Sequence, residues 1–556
     1  MAIFRLLLPP TVLRFLALSS LVVASLVTSP LAAQHLAKKD KVVLLDGLGD
    51  HHHKITTAAF QSQAFFNQGL RLLFAFNHNE AIRAFRAIED VDPFCPMAQW
   101  GIAYALGPNY NLEADPERDA EAYAAIEKAQ RYGRHATPAE QDYIAALAHR
   151  YVANSETEDR KQLDQAYADA MRELAKKYPD DLDAATLYAE ALMDLRPWDL
   201  WTHEGLPQPG TEEIVATLEG VLAKNPKHPG ANHFYIHAVE ASRQPERGLP
   251  SAERLPALMP AAGHMVHMPA HIYLRLGRYA DAAENNRQAV AADRTYIAKC
   301  QPEGIYPMMY YPHNIHFLWS TLCWQGRRAE ALKAADELSA LMTEDMVREM
   351  PMIEAFVPTR LFTLVRFGMW DDVFKSPAPP ADFPYATGIW HFAHGMAMAA
   401  TNRAEDARAE LKQLREIQST IPPERLAIRH PMTSLLEIAA EILDGKLAAQ
   451  QGKIDEAVAH LEKAIAVQDA LQYDEPPPWY YPVRQSLGAV LLSAGRAKEA
   501  EAVYRQELAE HPENGWSLFG LAASLKAQKS PQAAEAQQRF EKAWAHADVT
   551  LRSSEY

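Results

Sequence analysis

Residues 487–512 read LGAVLLSAGRAKEAEAVYRQELAEHP. Apolar residues recur in this stretch at the spacing of an amphipathic helix, on both sides of a small-residue turn at Gly495. Pro512 follows the second apolar segment, where a proline stops a helix from continuing. The stretch therefore predicts two helices joined by a short turn.

The same pattern of a turn followed by a helix recurs along the chain. In each copy a small turn residue precedes an Ala and an apolar or aromatic residue at fixed offsets, and no run of alternating β-branched residues indicates a strand. The copies are Asn77–Pro93, Gly277–Asp293, Gly326–Leu341, Asn402–Gln418, Gly452–Asp469 and Gly495–Pro512.

These segments resemble the second half of a tetratricopeptide repeat, and the resemblance covers most of residues 60–545. It implies an all-α fold, a TPR-like α-solenoid of stacked helix–turn–helix repeats with short loop insertions. It also implies that small residues such as Gly69 and Gly488 let two helices touch, and that the groove on the concave face binds ligands.

The first 33 residues read as a secretory signal. Arg5 and Arg14 precede the apolar run Phe15–Val27, and the small-residue end Pro30–Ala33 resembles a peptidase cleavage site. No later segment is long and apolar enough to span a membrane. We therefore expect a periplasmic or secreted protein without stable membrane insertion after cleavage of residues 1–33.

The remaining chain is divided by the quality of its repeats and by its histidines. We predict that residues 34–59, which include His51–His53, form an exposed, mobile tail. The predicted domains that follow are N-terminal TPR-like repeats at 60–226, central histidine-rich repeats at 227–345, degenerate repeats at 346–434 and C-terminal TPR repeats at 435–556.

Charge and motif content exclude several classes of function. The 71 acidic and 55 basic residues give a net charge of -16 without a long basic run, which argues against nucleic acid as a partner. Three widely spaced cysteines make no disulfide framework or zinc motif. The sequence also lacks the motifs of serine hydrolases, nucleotide-binding loops and dinucleotide-binding folds.

Histidines recur at the spacing of the repeat. His233, His237 and Glu240 are separated by four and then three residues, which puts them on one face of a helix. His267 and His271 follow about one 34-residue repeat length later and match His233 and His237 one for one.

A third copy follows after an insertion. His316 falls where His233 and His267 fell, and His313 precedes it by three residues as His264 precedes His267. The resemblance implies that these positions face the concave groove. Neighbouring helices pack about 8–10 Å apart, so their side chains can converge on one ion.

Imidazoles with a carboxylate suit a transition metal ion, and we expect copper or zinc, with iron as a further choice. The predicted metal ligands are His233, His237, His264, His267, His271, His313 and His316. If the site is catalytic, Glu240 or Asp194 could act as the general base. Pro269 would interrupt a regular helix between His267 and His271, so His264 and His267 could lie on the entering turn.

Three functions stay open. The first is a metal-dependent enzyme, a hydrolase or oxidoreductase, with a small-molecule or peptide ligand in the groove. The second is a periplasmic scaffold that binds peptides or partner proteins without catalysis, for which the C-terminal repeats, residues 454–545, are suited. The third is metal storage or delivery, which uses the same site without substrate chemistry.

Overall fold

The computed structural model describes residues 42–154 and 159–556. The predicted signal segment and residues 34–41 of the tail lie outside the described residues. In the described part, helices that are consecutive along the chain pack against each other as hairpins, and these hairpins stack on one another. The prediction of an all-α repeat fold is therefore confirmed.

The N-terminal helices are α1 (Phe60–Phe74), α2 (His78–Glu89), α3 (Pro96–Leu106), α4 (Pro116–Tyr132), α5 (Pro138–Ala148), α6 (Arg160–Lys177), α7 (Leu182–Met193) and α8 (Thr211–Lys224). The central helices are α9 (Pro229–Glu240), α10 (Leu249–Leu258), α11 (Gly263–His267), α12 (Pro269–Arg275), α13 (Tyr279–Cys300), α14 (Tyr311–Trp324), α15 (Arg328–Leu341) and α16 (Glu344–Glu349).

The C-terminal helices are α17 (Thr359–Arg366), α18 (Trp370–Lys375), α19 (Pro384–Ala400), α20 (Ala404–Thr420), α21 (Met432–Gln450), α22 (Ile454–Asp469), α23 (Arg484–Ser493), α24 (Ala497–Glu510), α25 (Gly515–Ala527) and α26 (Ala533–Ala543). Two short strands, β1 (Leu426–Ala427) and β2 (His430–Pro431), pair antiparallel in a hairpin before α21.

Glycines permit the close packing within a repeat. The ring of Tyr504 in α24 lies between Gly488 of α23 and Gly520 of α25, and a Cβ atom at either glycine would overlap that ring. The turn before α24 needs a left-handed residue, and Gly495 supplies it with φ 78°. The predicted roles of the small residues are therefore confirmed at this repeat.

Helix ends are defined by residues with capping preferences. The Asn77 side chain accepts a hydrogen bond from the Glu80 N–H at the start of α2, and Thr137 with Glu140 forms a capping box at the start of α5. Pro269 is the first residue of α12, so it separates α12 from the short helix α11, as the sequence indicated.

Distant repeats contact each other and enclose the groove. Tyr279 donates a hydrogen bond to the Pro512 carbonyl, and Tyr296 donates one to Glu80. Arg429 in the turn of the hairpin reaches Asn111 in the N-terminal repeats. These contacts turn the expected open groove into an interior cavity, which buries the central histidines.

The prediction of an exposed tail is wrong for His51 and His53. Their side chains are 14% and 17% exposed, and both contact the Asp183 carboxylate of α7 at 2.9 and 2.8 Å. The backbone N–H of Thr56 also donates to Glu140.

Among the described residues, no helix is long and apolar enough to cross a membrane.

Candidate metal centre

Four neighbouring helices carry the histidines that the repeat pattern predicted. Helix α9 presents His233 and His237 one turn apart on its inner face, with Glu240 one turn further. The break before Pro269 lets the short helix α11 and helix α12 orient their side chains separately. The remaining histidines of the site are His264 and His267 on α11, His271 on α12 and His313 on α14.

The six histidines form two groups of three. In cluster A (His233, His237 and His264) one ring nitrogen from each residue lies within 4.8 Å of the other two. Cluster B (His267, His271 and His313) meets the same condition. A nitrogen triplet of this size could hold a metal ion.

Cluster B is centred on the Nε2 atom of His267. This nitrogen lies 2.8 Å from Nε2 of His271 and 3.2 Å from Nε2 of His313. On the other side of the ring, Nδ1 lies 2.7 Å from Oδ1 of Asn286. The Asn286 amide nitrogen donates to the Ala282 carbonyl, so Oδ1 is the acceptor that faces His267.

Cluster A has the same arrangement of nitrogens. The Nε2 atoms of His233 and His264 are 3.1 Å apart, and Nδ1 of His233 donates to the Phe74 carbonyl at 2.6 Å. The Nε2 atom of His237 is buried and has no hydrogen-bond partner among the described residues. In cluster A, oxygens thus hold Nδ1 of His233 and of His237, whereas the buried Nδ1 of His264 has no hydrogen-bond partner among the described residues.

Glu240 links the two clusters. One carboxylate oxygen accepts from Nδ1 of His237 at 2.8 Å, and the other accepts from Nδ1 of His271. Burial alone would raise the pKa of Glu240, but the adjacent His271 and His237 bring this pKa down to about 2. An ionised carboxylate thus orients one imidazole of each cluster.

Five of the six cluster histidines favour the neutral form in this environment. Burial lowers the pKa of His233, His264, His267 and His313 well below the usual range, and neighbouring imidazoles lower it further. Burial also lowers the pKa of His237, although Glu240 opposes the shift. Neutral imidazole is the form of histidine that binds metal ions.

Two predicted site residues lie outside the clusters. His316 stacks on Trp319 at 4.9 Å between ring centroids and makes no hydrogen bond to another histidine, so the expectation that it is a core ligand is corrected. His313, three residues earlier, lies in cluster B instead of His316, because the preceding insertion enters α14 through a π-helical turn.

Asp194 has a structural environment of its own. It accepts from the buried guanidinium of Arg150 at 2.6 Å and is absent from the wall of the cavity that the histidines line. Both Glu240 oxygens already accept hydrogen bonds from imidazoles. Glu240 therefore lacks the free oxygen that a general base requires, and Asp194 lies away from the cavity where a general base would act.

Several residues of the site carried no signal in the sequence. Asn286 belongs to the partner helix of its repeat, and Glu475, whose carboxyl lies 3.7 Å from Nδ1 of His271, comes from the distant C-terminal repeats. Burial and the nearby Glu240 raise the pKa of Glu475 well above its usual range. Neither residue lies at repeat spacing from the histidines, so only the tertiary contacts reveal them.

A separate group of histidines surrounds Asp183 in the N-terminal repeats. His51, His53 and His228 all contact its carboxylate at 2.8 to 3.0 Å. Nδ1 of His228 accepts the Ala231 backbone N–H, so its Nε2 carries the proton and donates to Asp183. Ordinary hydrogen bonds account for this group without a metal ion.

No protein-family model and no curated protein matches the sequence of this chain. Among solved structures, the human IFIT1 dimer with m7Gppp-AAAA is 11% identical, covers 89% of this chain and 96% of its own, and has a TM-score of 0.34. The APC/C hetero-tetramer Cut9-Hcn1 is 11% identical, covers 88% and 94%, and has a TM-score of 0.27. Scores this low carry no inference about ligand or activity. Its own helices show that the described part of the chain is a repeat of stacked helical hairpins.

Proposed function

We propose that this protein binds a pair of transition metal ions, one at cluster A and one at cluster B. The observation that carries the proposal is the contact between His267 and His271, whose Nε2 atoms lie 2.8 Å apart. The Nδ1 atom of each ring contacts an oxygen that can only accept a hydrogen bond. This oxygen is Asn286 Oδ1 for His267 and an ionised Glu240 oxygen for His271.

A neutral imidazole has a single N–H, so Nε2 of His267 holds a lone pair, and Nε2 of His271 holds one too when that ring is in the neutral form that binds metal ions. Two buried lone pairs at hydrogen-bonding distance repel each other unless a cation lies nearby. The same reasoning applies to His233, whose N–H goes to the Phe74 carbonyl, and to His237, whose N–H goes to Glu240. The buried Nε2 lone pairs of four histidines thus face a common interior, which favours a Lewis acid there.

The donor set favours particular metals. Each cluster offers imidazole nitrogens and no free carboxylate oxygen, which suits copper or zinc and disfavours magnesium and calcium. Iron remains a third choice, although its common site with two histidines and a carboxylate would need an oxygen ligand that Glu240 does not spare. We therefore propose copper or zinc first.

The proposed ions are accessible to a ligand. Three protein ligands per ion leave a coordination position open, as in catalytic metal sites. His237, His264, His271 and His313 line a cavity with a free volume of about 90 Å³, so that position faces the cavity. A hydrolase or oxidoreductase is therefore a more natural function than closed storage, within the same metal proposal.

Elemental analysis of the protein, purified without a histidine tag and dialysed against copper(II) or zinc(II), tests this function. We expect about two ions per chain, and about one in each of the double variants His233→Ala with His264→Ala and His267→Ala with His271→Ala. In the copper(II) protein, two ions about 3.5–4 Å apart, the spacing of two-metal sites, should give a half-field signal in the electron paramagnetic resonance spectrum.

The variant His391→Ala is the matched control, because His391 also pairs with a carboxylate, Glu410, outside the clusters. It should keep both ions. Loss of metal in this control, or unchanged metal content in both double variants, would contradict the proposal.

A second candidate is a scaffold for a peptide or partner protein. A groove with a free volume of about 980 Å³ is lined by N-terminal, central and C-terminal elements, among them Arg243, Asp469, Arg484 and Glu510. Mixed charges on a wide groove suit an extended peptide. Charge reversal at Arg243 and Glu510 should abolish binding of peptides selected from a displayed library while leaving the metal content unchanged.

We also propose that the protein acts outside the cytoplasm, on the basis of the signal-like residues 1–33. The amino-terminal sequence of the protein recovered from a periplasmic extract tests this. A start near residue 34 supports export, and an intact amino terminus in the cytoplasmic fraction contradicts it.

A further inference from the structure

The interior cavity has a polar end and an apolar body. The polar end consists of the four histidines that face it from clusters A and B. The rest of the wall is contributed by N-terminal, central and C-terminal elements, including the hairpin β1–β2 and the segment Pro476–Pro478. The free volume of this cavity is about 90 Å³, which limits its occupant to a small molecule.

Aromatic rings dominate the body of the cavity. Trp198, Tyr310, Trp319, Phe362, Tyr385 and Tyr480 all contribute to its wall. Several of these rings are fixed by neighbours: Phe362 stacks on Tyr480 at 4.4 Å between centroids, and Trp319 donates to Thr363 at 2.6 Å. Rigid rings on several sides favour a flat aromatic ligand, which gains offset or edge contacts in addition to apolar burial.

The charges at the wall balance each other. Arg429 lies over the Trp198 ring at 4.0 Å, and Asp474 accepts from His430 at 3.1 Å. Burial opposes ionisation of Asp474, but His430 and Arg429 still lower its pKa. Arg429 and Asp474 thus place one cation and one anion at the wall of the cavity.

We propose that this cavity binds an aromatic molecule that carries an oxygen donor such as a hydroxyl group, with its ring between the aromatic walls and its oxygen toward the histidines. The ring position rests on the cavity alone. The oxygen position rests on the proposed metal function, because an oxygen donor would occupy the coordination position that three histidines leave open.

Three probes of the same size separate these features: 4-propylphenol, propylbenzene and 4-propylbenzoate. Binding is measured by calorimetry to metal-loaded and metal-free protein, with the metal content determined in the same samples. For loaded protein we expect 4-propylphenol and 4-propylbenzoate, which both carry an oxygen donor, to bind roughly tenfold or more tightly than propylbenzene. For metal-free protein the difference between the phenol and propylbenzene should shrink below about threefold.

A cavity-filling variant locates the binding. Ala355 lines the cavity and is partly exposed, so Ala355→Trp can fill the space without disturbing a fully packed position. We expect this variant to keep its metal and lose at least about tenfold in affinity for 4-propylphenol. Ala409→Trp on the exposed face of α20 is the control and should bind as the unaltered protein does.

The outcomes distinguish the two proposals. Loaded protein that binds all three probes equally, or prefers propylbenzene, overturns the inference while the metal function stands. Absence of metal overturns the metal function; the aromatic site then stands if 4-propylphenol binds and Ala355→Trp abolishes the binding, and falls if it does not.

Discussion

The ring of Phe76 packs against the ring of His233 with 4.5 Å between ring centroids, from a backbone whose φ is 54°. Phe76 occupies the turn between α1 and α2, at the place where Gly495 stands in a later repeat. A left-handed conformation costs a non-glycine residue about 1–2 kcal/mol. The ring also contacts His237 and His264, so packing against cluster A offsets that cost.

We predict that Phe76→Gly weakens metal binding at cluster A. The change relieves the strained turn but removes a fully buried ring, for a net loss of about 2–4 kcal/mol in the free energy of unfolding. Metal content and thermal unfolding measure both effects. Lys529→Gly is the matched control, because Lys529 has φ 54° in an exposed turn; it should be neutral or stabilising, and equal effects in the two variants would contradict the prediction.

Glu240→Gln should reduce metal affinity by about 10–100-fold while the protein stays folded. An amide can accept from only one of His237 and His271, so the other imidazole must move its proton to Nε2 and lose its free lone pair. Competition titration with a coloured chelator measures the change. Glu441→Gln replaces another histidine-bonded carboxylate with a pKa of about 2, and it should leave metal affinity unaltered.

Asp183→Asn should detach the segment that contains His51 and His53. His228, His51 and His53 hold the pKa of Asp183 well below its ordinary 3.8, despite its burial. The contribution to stability is therefore complete above about pH 4 and is lost as the pH falls through the depressed pKa. Hydrogen exchange at the Thr56 amide, which donates to Glu140, should accelerate in the variant at neutral pH. Unchanged exchange would show that Asp183 does not anchor the segment.

Asp293→Asn should remove the pH-dependent loss of folding stability that Asp293 causes in metal-free protein. Burial raises the pKa of Asp293 to about 6, although Tyr306 and Asn314 donate hydrogen bonds to it. A raised pKa makes the folded state most favourable below the unfolded value of 3.8, and this advantage disappears as the pH rises to about 6. The shift corresponds to about 3 kcal/mol.

The measurement is urea unfolding of both proteins at pH 4 and pH 7 in the presence of chelator. The unaltered protein should lose more stability between these values than the variant, in which Asn314 can rotate its amide to provide an acceptor. Parallel losses in the two proteins would contradict a buried, protonated Asp293.

Gly488→Ala should destabilise the C-terminal repeats by about 1–3 kcal/mol, because the new methyl group overlaps the Tyr504 ring. Metal content should not change, since clusters A and B lie on other helices. Gly220→Ala is the control: a methyl group there meets no atom within 4 Å, and it should stabilise α8 by up to about 1 kcal/mol. Calorimetry of both variants measures the difference, and a stable Gly488→Ala protein would contradict the packing argument.

The repeat fold could be predicted because its signals are local. Helical periodicity, the turn at Gly495 and the small residue Gly488 each act within one hairpin, so the sequence determined the all-α class and the stacking of helix pairs. The histidine positions followed from the same repeat register, and six of the seven predicted ligands lie in clusters A and B.

Contacts between distant repeats could not be predicted in this way. His316 occupies an equivalent repeat position but turns to Trp319, because the insertion before α14 changes which histidine faces cluster B. The roles of Asn286 and Glu475, like the Arg429 contact with Trp198, depend on helices that meet only in the folded chain.

The sequence by itself determined that this protein is a helical repeat whose adjacent helices carry imidazoles at equivalent positions, because both properties depend on residue spacing along the chain. Only the tertiary structure decided that the groove closes into a cavity and that the histidine Nε2 atoms carry the free lone pairs. The physical reason is that a tautomer depends on the acceptor at the other nitrogen, and the Phe74 carbonyl and Asn286 reach those nitrogens only after folding.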